Sequence, residues 1–246
     1  MKDYKLAVLI DADNVPYSNI KEMLEEITRH GTPTIKRIYA DWTKPTVSGW
    51  KGVLLENAIT PIQQYSYTTG KNSSDSAMII DAMDILYSDK VDGFCIVSSD
   101  SDFTRLAMRI RESGSKVIGI GEKKTPQPFI TACDKFIYIE ILKARETEET
   151  KAKTKAKSKP DASPLKKVDK DLIKLIAASV DELSDESGWA FLGSLGNYIL
   201  RRRPDFDPRN YGFQKLFPLI QSLGKFETDE RETGVKNIRH IYVKNK

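Results

Sequence analysis

Histidine and cysteine are scarce in this chain of 246 residues, which contains two of each. His30 and His240 stand far apart in the sequence, so neither a Ser-His-Asp triad nor a histidine-rich metal site is expected. Cys95 and Cys133 lie in apolar surroundings and form no C-x-x-C pattern. We therefore expect no disulfide framework, no cysteine zinc site and a reducing, cytoplasmic compartment. Any catalysis would rest on carboxylates.

Long apolar runs and glycine-rich nucleotide loops are also missing. The chain has no apolar stretch of about 18 residues that would predict a membrane helix. The apolar run near its N-terminus is too short for a signal peptide and is followed by acids. Neither G-x-G-x-x-G after the first strand nor G-x-x-x-x-G-K-[ST] occurs. A membrane partner, an NAD site and a P-loop ATPase are therefore not expected.

The formal net charge of +4 is unevenly distributed along the chain. Residues 143–170 contain ten Lys/Arg and five Asp/Glu (10 − 5 = +5), with few large apolar side chains. Such a segment cannot bury enough surface to offset its ordering entropy. The composition predicts three parts: a domain over 1–143, a basic flexible linker over 144–166 and a second domain over 167–246. An extension of a helix through 144–157 is the alternative.

The first part alternates β-type runs with helical patterns. Strands are predicted at 5–10, 34–40, 59–65, 93–98, 116–120 and 135–140, and helices at 17–29, 48–57, 74–88, 102–113 and 126–132. This alternation predicts an α/β domain with a mostly parallel sheet covered by helices on both faces.

The last part is predicted to be mostly helical, with helices at 169–185, 189–202 and 210–223. Two β-type runs around Gly234 then predict a hairpin, so the pattern fits a winged helix-turn-helix module. Apolar side chains at helical spacing are expected to form its core: Trp189, Phe191, Leu195, Ile199, Phe213, Leu216, Phe217, Ile220 and Leu223. Tyr211 either packs in this core or stacks on a base.

Acidic residues collect where predicted strands end. Asp11 and Asp13 follow the first strand, Asp100 and Asp102 follow the fourth, and Asp75 stands in the first turn of a helix. Helix capping explains each of these acids singly. In an open parallel sheet, however, ligands bind outside the carboxyl ends of the strands. Oxygen ligands alone favour Mg²⁺ or Mn²⁺, which can polarise a phosphodiester.

Three segments carry a family resemblance in the expected order: VLIDADN (8–14), TTGKNSSDSAMIIDAMDIL (68–86) and IVSSDSDFTRL (96–106). They resemble the NYN family of PIN-like ribonucleases, of the LabA-like type. The resemblance implies a PIN-like parallel-sheet sandwich that hydrolyses RNA with Mg²⁺ or Mn²⁺, endonucleolytically rather than from an end. It also implies a set of catalytic residues in which the acids are metal ligands and Asn14 is a polar partner: Asp11, Asp75, Asp100, Asp102 and Asn14.

Some positions near these motifs depart from the pattern or have two interpretations. Ser99 stands where the family usually has glycine. Asp13 is either a direct ligand or an outer, solvated acid. Asp81 lies six residues after Asp75, about 240° around the helix, and is expected to have a structural or surface role. Lys71 either contacts a phosphate or is a solvated loop lysine.

The segment GWAFLGSLGNYILRRRPDFDPRNYGFQKLFPLIQSL (188–223) resembles the OST-HTH/LOTUS family, and a final HIYVK matches its closing strand. The resemblance implies a small winged-helix module that binds RNA or docks a protein. Five cations of this region are candidate RNA contacts: Arg201, Arg202, Arg203, Arg209 and Lys215. Cations at a helix end are also favoured by its dipole, which is the alternative interpretation of the arginine run.

Two other functions remain open from the sequence. An RNA-binding adaptor would keep both domains without turnover. A haloacid-dehalogenase-type phosphatase would use the DADNV segment, with Asp11 as nucleophile and Asp13 as acid/base, but it leaves Asp75 without a role.

Overall fold

The computed structural model describes residues 4–65, 73–142, 164–232 and 239–246. The chain divides into two compact units, Met1–Ala156 and Lys157–Lys246. Most of the predicted linker over 144–166 lies outside the described residues, so its bounds and the domain limits set by it stay predictions. Among the described helices, none is long and apolar enough to cross a membrane.

The first unit contains a six-stranded sheet whose strands all run parallel. The strands are β1 (Lys5–Asp11), β2 (Thr32–Ala40), β3 (Thr60–Gln63), β4 (Gly93–Val97), β5 (Lys116–Gly121) and β6 (Lys135–Tyr138). The helices between them are α1 (Ile20–Thr28), α2 (Trp50–Glu56), α3 (Ser73–Tyr87), α4 (Thr104–Glu112) and α5 (Gln127–Ala132). The predicted α/β class and the predicted strand–helix alternation are confirmed.

The strand order β3-β2-β1-β4-β5-β6 locates the place where a ligand site is expected. The chain proceeds from β1 to one edge of the sheet, returns through α3, and continues from β4 to the other edge. The order therefore reverses between β1 and β4, and their carboxyl ends flank the crevice that such sheets use for binding. β1 is buried from Leu6 to Asp11 and β4 along its whole length, as expected for apolar strands covered on both faces.

In the described part of the second unit, three helices pack against a small antiparallel sheet. Its elements are α6 (Lys170–Leu183), β7 (Ala190–Phe191), α7 (Leu192–Arg202), α8 (Leu216–Leu223), β8 (Phe226–Glu232) and β9 (Arg239–Asn245). The sheet order is β7-β9-β8. Asp169 caps α6 by accepting a hydrogen bond from the Leu172 N–H at 2.7 Å. The helices and paired strands confirm the winged-helix prediction, although the Gly234 turn lies outside the described residues.

Two details of that prediction are wrong. The helix expected over 210–223 begins only at Leu216, because a 3-10 turn over Pro208–Tyr211 ends at Gly212 in the left-handed conformation (φ 83°). Three residues of the expected core are not in it: Phe191 is 36% exposed, and Trp189 and Phe217 are half-buried outside the core cluster, whereas Ala190 is fully buried. Alternate residues of a strand face opposite sides, so burying Ala190 turns Phe191 outward. Tyr211 is 5% exposed and packs in the core.

Candidate functional site

Asp11 ends β1 as a buried carboxylate with three hydrogen-bond donors. Its Oδ2 accepts from Asn14 Nδ2 at 2.7 Å and from Ser98 Oγ at 2.8 Å. Its Oδ1 accepts from the Asp13 N–H at 3.1 Å. Asp11 is only 1% exposed. These donors fix the orientation of the carboxylate and stabilise its charge where water is excluded.

The loop after β4 brings two further acids to the same edge of the sheet. Asp100 Oδ1 accepts from the Asp102 N–H at 2.9 Å, which caps a 3-10 turn over Ser101–Phe103. The Asp100 N–H donates to Ser98 Oγ at 3.1 Å. The fully buried Ser98 hydroxyl therefore connects this loop directly to Asp11 on the adjacent strand.

Asp75, Asp100 and Asp102 converge into one acidic cluster. Each of the three can offer a carboxylate oxygen such that the three atoms lie within 4.8 Å of one another. Asp75 is buried in the first turn of α3, which packs on β1 and β2, while Asp100 is half-buried and Asp102 is exposed. Asp75 precedes Asp100 by 25 positions in the sequence (100 − 75). It reaches the β1–β4 crevice because α3 leads the chain back from β3 to β4.

Ionisation of the buried acids at this edge is energetically unfavourable. Burial, followed by the charges of Asp11, Asp100 and Asp102, raises the pKa of Asp75 to about 6. Burial also raises the pKa of Asp11, against the opposing effect of its hydrogen bonds from Asn14 and Ser98. Crowded carboxylates of this kind either take up a proton or are neutralised by a cation.

The donor set of the acidic cluster fits a hard divalent cation. All its donors are carboxylate oxygens, which suit Mg²⁺ and Mn²⁺, and one face is open to solvent at Asp102. Asp11 is not one of the three acids whose ligand oxygens lie within 4.8 Å of one another, and both its oxygens accept hydrogen bonds. Its charge nevertheless acts on Asp75, and so does that of the exposed Asp13.

Two polar residues at this edge were not found from the sequence. No sequence pattern indicates a role for Ser98, because it continues the apolar run of β4 and its hydrogen-bond partners come from other segments. Asp41 follows β2 just as the other acids follow their strands, so the same rule could have found it. Its Oδ1 accepts from the Thr43 hydroxyl at 2.6 Å and from Gln63 Nε2 at 3.1 Å. These bonds join the end of β2 to β3.

Ser99 connects two loops at the edge of the sheet. Its hydroxyl accepts from the Glu122 N–H at 2.8 Å, and the residue is 7% exposed. Gly121 beside it allows the close approach of the two loops, because a Cβ there would lie 2.6 Å from the Ser98 carbonyl oxygen. The serine that departs from the family pattern therefore makes a specific contact between the loops after β4 and β5.

Asp81 and Lys71 are the remaining residues that were considered near the site. Asp81 accepts from Arg37 Nη1 at 2.5 Å and from the Tyr39 hydroxyl at 2.6 Å, both on β2. This is the structural role expected from its angle on α3. Lys71 lies outside the described residues.

The candidate RNA contacts of the second unit fall into two groups. Arg209 makes a bidentate ion pair with Asp207, with distances of 3.0 and 2.7 Å, and Arg203 lies 3.6 Å from Asp205. The other three side chains are exposed: Arg201, Arg202 and Lys215. The structure therefore uses Arg203 and Arg209 in local ion pairs and presents the remaining three to solvent.

Comparison with known proteins gives two family matches. The family model for the NYN domain matches residues 5–140, and that for the OST-HTH/LOTUS domain matches residues 163–238. A solved structure of a protein of unknown function from Vibrio parahaemolyticus is 24% identical, with 56% of this chain and 93% of that chain covered and a TM-score of 0.48. An uncharacterized protein from Nitrosomonas europaea is 32% identical, with 38% and 90% covered and a TM-score of 0.30. No curated protein matches significantly.

Proposed function

Since the chain belongs to the NYN-domain family and carries an OST-HTH/LOTUS domain after it, we propose that it is a metal-dependent ribonuclease. The NYN domain belongs to the PIN-like nuclease superfamily, and LOTUS domains bind RNA. The observation that carries the proposal is the acidic cluster, whose three carboxylates meet at the β1–β4 crevice with the pKa of Asp75 raised to about 6.

Mg²⁺ or Mn²⁺ would be held by Asp75, Asp100 and Asp102. Such a cation polarises the phosphodiester and lowers the pKa of the attacking water. The hydrogen bonds from Asn14 and Ser98 favour the ionised form of Asp11 against the effect of burial, which raises its pKa, and its charge acts on Asp75. This arrangement supports phosphodiester hydrolysis by oxygen ligands alone, without histidine or cysteine.

Endonucleolytic cleavage is the mode that we propose. Asp102 is exposed, so the acidic cluster opens to solvent at the edge of the sheet. The middle of an RNA chain can reach such a site as readily as an end. Cleavage of a circular single-stranded RNA, which has no ends, tests this mode directly.

The decisive experiment incubates RNA with the purified chain in Mg²⁺, in Mn²⁺ and in EDTA. The wild type should cleave only with a divalent cation, and Asp100→Asn should lose at least about 100-fold in rate, because one ligand oxygen is no longer charged. Asp84→Asn is the matched control, since Asp84 is an exposed acid on the same helix as Asp75. Equal cleavage by wild type and Asp100→Asn would refute the site.

Two other outcomes separate the alternatives. RNA binding without cleavage by any variant would identify an adaptor. Release of phosphate from p-nitrophenyl phosphate, abolished by Asp11→Asn, would identify a phosphatase. The structure argues against the latter, because a nucleophilic Asp11 needs an accessible oxygen, whereas Asp11 is 1% exposed with both oxygens hydrogen-bonded.

A further inference from the structure

Three aromatic side chains share the outward face of the small sheet in the second unit. Phe191 on β7 pairs with Tyr242 on β9, and their ring centroids lie 5.8 Å apart. The His240 ring lies 4.7 Å from that of Phe191. The neighbouring pair, Ala190 and Val243, is fully buried, so these rings face away from the core. We call Phe191, His240 and Tyr242 the aromatic face.

A planar cation already stacks on this face. The Arg231 guanidinium lies 4.2 Å from the ring centroid of Tyr242 and 5.4 Å from that of Trp189. Arg231 stands opposite His240 in the β8–β9 register and pairs with Asp229 at 2.9 Å. Arg231 thus covers one face of the Tyr242 ring, and its own guanidinium plane is a surface on which a base can stack.

The ring contacts of Phe191 lie on the outward side of the sheet and not in the core of the unit. The core of the second unit lies on the other side of the sheet, where Ile176, Leu195 and Val243 are fully buried. Phe191 is 36% exposed on a strand of only two residues. Phe191 therefore presents part of its ring to solvent beside two other rings.

The charge of this face favours bases over phosphates as the bound groups. The outward residues of β8 and β9 include two acids, Glu227 and Asp229, and two cations, Arg231 and Lys244, which cancel (2 − 2 = 0). Lys244 Nζ also donates to the Ser187 carbonyl at 3.0 Å. A neutral aromatic surface attracts the ring faces of bases and offers little to the phosphate backbone. Sheets with exposed rings bind single-stranded RNA in this way.

We propose that the aromatic face is a binding site on which about two or three bases of single-stranded RNA stack. The inference rests on the proposed function only in that both concern RNA. Stacking requires unpaired bases, so the site selects single strands over duplexes. Its contribution to affinity comes from ring contact and not from neutralised phosphates, so losing it should leave the salt slope of RNA binding unchanged.

The test measures fluorescence anisotropy of a labelled single-stranded oligouridine of about ten nucleotides with the full chain in EDTA, so that cleavage does not interfere. Phe191→Ala and Tyr242→Ala should each weaken the Kd by about 5- to 100-fold with an unchanged salt slope. Phe191→Leu keeps an apolar side chain and should also weaken binding, whereas Phe191→Tyr should retain it. Val168→Ala, which removes another exposed apolar side chain of the unit, is the control.

Several outcomes would overturn the proposal. They are an unchanged Kd in Phe191→Ala and Phe191→Leu, equal affinity for duplex and single-stranded RNA, or no RNA binding by the wild type. A variant that alters the oligomeric state in solution but leaves the Kd unchanged would make the face a contact between protein chains instead. Thermal melting of each variant confirms that it is folded. The nuclease proposal is tested separately, because loss of cleavage in Asp100→Asn does not depend on Phe191.

Discussion

Ser98 donates its hydroxyl hydrogen to Asp11 across the β1–β4 crevice, with the oxygen atoms 2.8 Å apart. The same hydroxyl oxygen accepts from the Asp100 N–H at 3.1 Å. One buried side chain thus sets the position of an acid on β1 and of the loop that carries two acids of the cluster.

Ser98→Ala should therefore reduce both stability and cleavage. Removing a buried hydroxyl leaves a partner unsatisfied, at a cost of about 1–3 kcal/mol in the free energy of unfolding. We expect a lower melting temperature and a slower cleavage rate, with part of the activity restored in Ser98→Thr, which keeps the hydroxyl. Ser101→Ala in the same loop serves as the control. Full activity in Ser98→Ala would show that the bond has no positioning role.

Asp75→Asn should stabilise the chain when no divalent cation is present. Burial and then the charges of Asp11, Asp100 and Asp102 oppose ionisation of Asp75, and the neutral amide avoids the cost of burying a charge and removes the repulsion. The melting temperature in EDTA at pH 8 should rise by about 2–4 °C per kcal/mol of repulsion removed. Mg²⁺ or Mn²⁺ should raise the melting temperature of the wild type but not that of Asp75→Asn. A variant that melts lower in EDTA and still responds to the cation would contradict the cluster.

The acidic cluster should make the wild type less stable as pH increases from about 4 to 6. The folded-state pKa of Asp75 is raised from 3.8 to about 6, so the folded chain binds this proton more tightly than the unfolded chain does. Its contribution to stability is complete below the unfolded pKa and is lost as pH rises through about 6. Cation binding and cleavage should follow the opposite course and weaken below about pH 6. Melting curves of wild type and Asp75→Asn, recorded across this range in EDTA, should converge at low pH.

Ser99→Gly should loosen the contact between the loops after β4 and β5. It removes the hydrogen bond that Ser99 accepts from the Glu122 N–H and adds backbone freedom to the unfolded chain. We expect a loss of about 1–2 kcal/mol in the free energy of unfolding, measured by urea denaturation. Ser99→Ala, which removes the bond alone, should give an intermediate loss. Equal stability of all three chains would show that the contact is not stabilising.

The two groups of arginines in the second unit should respond differently to substitution. Arg201→Ala with Arg202→Ala should leave the melting temperature unchanged and reduce the salt slope of RNA binding by about 0.7 for each phosphate that is no longer neutralised. Arg209→Ala should instead lower the melting temperature, because it removes the bidentate partner of the buried Asp207. An unchanged salt slope in the double variant would show that Arg201 and Arg202 do not bind RNA.

The sequence predicted the acids because their positions follow from local rules. An acid after a buried parallel strand can be assigned to the carboxyl edge once the strand is recognised, which is how Asp11 and Asp100 were found. Ser98 could not be found in this way, since its role depends on the lateral pairing of β1 with β4. Phe191 was misassigned because helical spacing was assumed across a segment that begins with two strand residues. The late start of α8 depends on one left-handed glycine that the apolar pattern did not reveal.

The acidic cluster draws its carboxylates from both sides of β4 in the chain. Asp75 precedes β4, whereas Asp100 and Asp102 follow it, so a nascent chain that has not yet paired β4 with β1 has no complete acidic cluster. The N-terminal part of a chain emerges first from the ribosome, and domains fold as units. A fragment that contains only the first three strands therefore has no complete acidic cluster. Under the proposed function, RNA cleavage begins only after β4 has paired with β1.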